Sequence, residues 1–205
     1  MTKKSFSVLS MLMVGILMVS IVAVYAQTTP GGFTSEPDKT MAAAHESFMK
    51  KDMNKSAEQI DKAAAYVKKQ ADRVAKDSKE GVKKAGDELS KLGQGVKEGT
   101  VKSGDELKKA FAKVDHELAK AWHKTADEAK KGGKDSSNAL KKAGASLDGA
   151  AKWSGNQLNE GAKASVEGVK KLGKGTAKGV KAGAEEVDKW FKGIGEGIDD
   201  LGRKL

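Results

Sequence analysis

An all-α fold of long amphipathic helices is what this 205-residue sequence predicts. Three observations carry that expectation. Apolar residues recur at spacings of three and four along most of the chain, the signature of one buried helix face. Proline ends at Pro37, so no later residue has to break a helix. The rest of the chain is rich in Lys, Ala and Gly and contains no Cys. Without thiols there is no disulfide framework, and the chain must hold together by packing, by self-association or on a surface.

The first element is an address. Lys3 and Lys4 precede an uncharged apolar run from Val8 to Val24, and Val24-Tyr25-Ala26 offers a small residue at a cleavage point before Gln27. That is the layout of a secretory signal peptide over residues 1–26. The competing reading is an uncleaved membrane anchor, since an apolar stretch of roughly 17–25 residues can span a bilayer. The break at Thr28-Thr29-Pro30-Gly31-Gly32 favours cleavage. The expected location is the periplasm or the extracellular space, with the anchored form as the alternative.

Cleavage would remove two of the 38 basic residues, leaving 36 against 28 acidic ones and a net charge of +8. A cationic protein outside the cytoplasm meets anionic headgroups and surface polymers before nucleic acid, and acidic residues dilute every basic run, so no nucleic-acid partner is expected. Leu, Ile, Val and Phe number 27 in residues 27–205. That is below the roughly 20% at which a chain fills a core comfortably, and it predicts a thin-cored helical protein.

Residues 27–37 read as a disordered leader. Residues 38–80 lack Gly and Pro and predict a helical hairpin. Asp38 and Thr40 start its first helix, with Met41, Ala44 and Phe48 on one face. Asp52 or Asn54 caps a second helix, burying Ala57, Ile60, Ala64, Val67 and Val74. Residues 81–160 predict a linking helix and a second hairpin. The pattern Ile60-Asp61-x-Ala63-Ala64-x-Tyr66 recurs there as Leu147-Asp148-x-Ala150-Ala151-x-Trp153, after a helical segment at 114–131. Two such hairpins, linked through 76–112, can form a loose four-helix bundle. Residues 161–205 predict Gly-rich amphipathic helices. From Gly81 to Gly202 the chain carries 21 of its 24 Gly. Each weakens an isolated helix by about 1 kcal/mol relative to Ala, so this region is expected to be marginal without a partner or surface.

A step of 11 residues runs through Ala63, Val74, Ala85, Val96, Leu107, Leu118, Ala129 and Leu140, shifts by 7 to Leu147, and continues to Leu158, Val169, Val180 and Phe191. Eleven residues turn a helix by about 1100°, close to three full turns, which keeps such positions on one slowly drifting face. Val96-Lys97-Glu98-Gly99-Thr100-Val101-Lys102 resembles the Lys-Thr-Lys-Glu-Gly-Val repeat of synucleins, slightly permuted. Lys124-Thr125-Ala126-Asp127-Glu128-Ala129-Lys130-Lys131 is similar to late-embryogenesis-abundant repeats, and the 11-residue step resembles exchangeable apolipoproteins and perilipins. The resemblance covers about residues 63–191, with the phase break at Leu140 as its departure. It implies a helix that forms on a lipid surface or on drying.

The chemistry-bearing residues argue against an enzyme, a cofactor or a metal. Gly168 to Thr176 approaches a phosphate loop, but Gly175 stands where Ser or Thr must follow the Lys, and no strand precedes it. His116 and His123 lie seven apart, separated by about 10 Å of helical rise, with Ala119 and Lys120 between them instead of a third ligand. They and His45 read as solvated side chains. The carboxylate pairs Glu185-Glu186 and Asp199-Asp200 diverge by about 100° on a helix and suit charge patterning. Gly175, Gly179 and Gly183 line one face, but Lys174, Lys178 and Lys181 exclude a membrane span. Among the Trp, Trp122 follows Leu118 by one turn and Trp153 reads as core packing, while Trp190-Phe191 suits either packing or a membrane interface.

The expected activity is therefore binding to an amphiphilic surface, such as an anionic membrane, through a stripe of Leu172, Val180, Val187, Trp190, Phe191, Ile194, Ile198 and Leu201 flanked by Lys. The alternative is a self-associating helical bundle, a homo-oligomer with a structural or stress-protective role in the cell envelope.

Overall fold

The computed structural model describes residues 36–175 and 183–205, and these are all-helical, with no strand among them. The signal segment, all but the last two residues of the leader, and Val180 lie outside the described residues. Seven α-helices follow in order: α1 (Asp38–Met49), α2 (Met53–Gln70), α3 (Lys79–Lys97), α4 (Gly104–Lys131), α5 (Ser137–Ser154), α6 (Glu160–Gly175) and α7 (Ala184–Gly202). A 3₁₀ turn, Lys76–Ser78, leads into α3.

Local chemistry sets several starts. Asp52 caps α2 by accepting from the Lys55 N–H at 3.1 Å. Ser103 caps α4 by accepting from the Glu106 N–H at 3.3 Å, and Glu106 Oε1 accepts from the Lys102 N–H at 3.3 Å. Asn159 caps α6 through the Ala162 N–H at 2.8 Å. These side chains satisfy amide groups that have no partner inside the first turn. Between α5 and α6, Gly155 stops α5 in the left-handed conformation with φ of 69°, where a Cβ would be strained.

Consecutive helices pack against each other, and α4, the longest at 28 residues, also touches α1 and α7. The bundle therefore has a central helix. Its core includes Met41, Ile60, Leu89, Leu107, Phe111, Leu118, Leu140, Leu147 and Trp153, all nearly or fully buried. Ala fills much of the remainder, with Ala44, Ala63, Ala64, Ala112, Ala119, Ala143 and Ala150 each at most 1% exposed. A small side chain offers little apolar area, but it lets two backbones approach closely, and that is how so few large residues fill a continuous core.

Three sequence expectations change in detail. Residues 76–112 are not a link between hairpins: α3 packs on both α2 and α4 and buries Val82, Leu89 and Val96. The helix expected from 114 starts at Gly104, where Ser103 supplies the cap. The 11-residue step does not trace one continuous stripe. Val74 and Leu158 lie between helices, and the synuclein-like segment crosses the turn after α3, where Gly99 has φ of 70°. Its Ala63, Ala85, Val96, Leu107, Leu118, Leu140 and Val169 are instead core positions of separate helices. Both copies of the duplicated pattern occupy the second arm of a helical pair, α2 after α1 and α5 after α4. Ile60 and Leu147 are fully buried at its head.

Candidate functional site

The residues expected to meet a surface sit on α6 and α7, and the structure turns most of them inward. Ile194, Ile198 and Leu201 are buried in the core. Leu172, Val187, Trp190 and Phe191 are partly buried and pack against it. Val180 lies outside the described residues. In the folded bundle this stripe is therefore the docking face of the C-terminal pair, and its apolar area is already largely removed from water. The flanking Lys163, Lys170, Lys189 and Lys192 are exposed, as an interface-binding helix requires.

Docking of α7 depends on close approach. Trp190 lies across Gly168 of α6, where its indole occupies the space a side chain would need. Gly197 faces α6 and α5: an added Cβ would lie 2.5 Å from Ala162 Cβ and 2.9 Å from Leu147 Cδ2. In the sequence these glycines read as weak points of isolated helices. In the bundle they are contact points.

Two of the three histidines expected to be solvated, His116 and His123, form the opposite side of this dock, and the third, His45, is buried in α1. His116 Nε2 lies 2.9 Å from the Ile198 carbonyl and His123 Nε2 lies 3.0 Å from the Phe191 carbonyl. A carbonyl only accepts, so Nε2 carries the proton in both rings. The partners are spaced by seven residues on α4 and by seven on α7, running in opposite directions. Each ring sits over a glycine one turn beyond its carbonyl: His116 over Gly202 and His123 over Gly195. Side chains there would cover the carbonyl. The His123 ring also stacks on Phe191, with centroids 4.1 Å apart, and Lys130 both covers Phe191 at 5.6 Å and pairs with Asp188 at 2.6 Å. A helical wheel shows His116 and His123 on one face but not that a glycine-lined helix covers it.

Elsewhere the structure is poor in convergent chemistry. The phosphate-loop-like segment lies largely within α6 and is helix, not loop, through Gly175. Among the described residues no group of three or more His, Asp or Glu is placed to hold a metal ion. No described helix is long and apolar enough to cross a membrane. A hollow of about 290 Å³ beside α3, α4 and Leu205 is lined by Lys84, Glu88, Lys113 and Glu117, a mixed-charge surface. Trp122 is buried under Lys142, whose ammonium lies 3.9 Å from the ring centroid. Comparison with protein-family models, with curated proteins and with solved structures finds no match to this chain.

Proposed function

We propose that this is an exported, non-enzymatic helical bundle that binds an amphiphilic, lipid-like surface by turning the α6–α7 apolar face outward. The observation that carries the reading is the double use available to one stripe. Ile194, Ile198 and Leu201 face the core, partly covered Val187, Trp190 and Phe191 continue the same stripe, and exposed Lys flank it. Exchanging contacts with α4 and α5 for a membrane surface keeps that area out of water, and each nearby Lys adds up to about 1 kcal/mol at an anionic bilayer.

Trp190 reports the exchange, because it is the half-covered end of the stripe. In a Trp122→Phe background, where buried Trp153 is the one other indole emitter, anionic phospholipid vesicles should shift the emission to the blue, a shift lost in Trp190→Phe, and carry the protein into the vesicle pellet. Salt should weaken binding without abolishing it, since the apolar part is unscreened. Replacing Trp190 and Phe191 together by Ala should reduce pelleting several-fold. No pelleting and no shift at low salt would overturn the proposal. The burial of Ile194, Ile198 and Leu201 favours the second reading in that case, a self-contained or self-associating bundle with a protective role in the envelope.

A further inference from the structure

Where α1, α4 and α5 meet, two carboxyl groups are buried against each other. Asp115 of α4 is fully buried, and Asp38 at the start of α1 is 3% exposed. They converge on Gly149 of α5, where an added Cβ would lie 2.6 Å from Asp115 Oδ2 and 2.7 Å from Asp38 Oδ1. Asp38 Oδ1 accepts from Trp153 Nε1–H at 3.1 Å. Neither oxygen of Asp115 receives a hydrogen bond from an N–H or O–H donor. Two carboxylates cannot bond each other without a proton, and two buried charges converging on one glycine repel strongly.

The surroundings decide which carboxyl keeps the proton. On α5, Lys152 favours a charge on Asp38 and Asp148 opposes it, and Lys152 and Asp148 pair at 2.9 Å. From α2, Tyr66 senses both Asp38 and Glu36. On α1 itself, His45 is buried with both ring nitrogens unpartnered, one face toward Trp153 at 6.1 Å, with Lys108 and Asp105 of α4 nearby. Burial, then the neighbouring Asp38, hold the Asp115 carboxyl well above the ordinary carboxylate range. Asp38 is raised too, by burial, but is pulled back by its bonds to Asp115 and Trp153.

We propose that one proton, carried by Asp115 and donated to Asp38, is a structural part of this fold, and that its loss as pH rises unlocks α1 from α4 and α5. The proposal stands apart from the surface reading, since it concerns the seat of α1 on α4 and α5 and not that of α7. A carboxyl raised in the folded state contributes stability that is complete below its unfolded value, about 3.9, and is lost as pH rises through the folded value. His45, lowered mainly by burial, has the opposite slope: its contribution is present above about 6.5 and lost in acid.

Urea unfolding of the full chain and of Asp115→Asn from pH 5 to 9 isolates the proton. Asn donates to Asp38 without needing one. While the folded wild type retains its proton, its unfolding constant should rise about tenfold per pH unit relative to the variant. Amide exchange in residues 38–49 should accelerate with it. Parallel pH curves for the two proteins would overturn the proposal. Should Asp115→Asn fail to fold, wild-type refolding at pH 7 in two buffers of different ionisation heat decides alone. Uptake of about one proton supports the lock, and none refutes it.

Discussion

An added methyl group at Gly197 has nowhere to go. Ala is the better helix former by about 1 kcal/mol, so in a loosely held helix Gly197→Ala would stabilise the protein. Here the new Cβ would meet Ala162 Cβ, a short side chain with no rotamer to escape into, and Leu147 Cδ2. Overpacking of this kind costs about 1–3 kcal/mol. Gly197→Ala should therefore lower the urea midpoint, whereas Gly81→Ala should raise it slightly, because only Glu117 Oε2 at 3.4 Å is near. A rise for both would mean that α7 is not closely docked. Composition could not reveal this difference. Helix propensity is a property of one residue, while the contact at Gly197 depends on α5 and α6, whose arrival is invisible in the local sequence.

At the scale of elements, helix existence was legible and partnership was not. The repeat of Ala57, Ile60, Ala64 and Val67 identifies the buried face of α2, and all four are buried. Asp52 marks its start because a short acceptor before an apolar run has one obvious use. The same periodicity identifies the stripe of α7 but does not say whether protein or lipid covers it. The match between two His seven apart and two Gly seven apart was the available signal, and it becomes meaningful only once α4 and α7 lie antiparallel. The carboxyl pair was less visible still: Asp38 and Asp115 are 77 residues apart, and each looks like an ordinary helix surface residue. Packing also orders the expected persistence of the helices. Near neutral pH, amide exchange should be slowest in α4, which is covered by α1, α3, α5 and α7, and slower across 38–80 than across 160–205. Equal protection in 160–205 would indicate that close packing offsets the whole glycine penalty.

For the molecule as a whole, the proposed export would set what the bundle can meet, and the signal-like segment 1–26 makes the sharpest claim. A cationic start at Lys3 and Lys4, an apolar run to Val24 and the Val-x-Ala site meet in one place, which predicts cleavage after Ala26. A cut there would fall well before Asp38, where α1 begins, and would remove two positive charges without shortening any of the seven helices. The charge of +8 that would remain rests on exposed Lys, many of them also in i,i+3 or i,i+4 pairs such as Lys62–Glu58 at 2.6 Å and Lys120–Glu117 at 2.9 Å. Such exposed pairs contribute little to stability and keep the surface open to anionic partners. Mass spectrometry of the protein recovered from the cell envelope or medium should find Gln27 as its first residue, in a form released without detergent. A chain beginning at Met1 or Thr2 and extracted only with detergent would show instead that the apolar run is retained as an anchor, and that the bundle reaches its surface by tether.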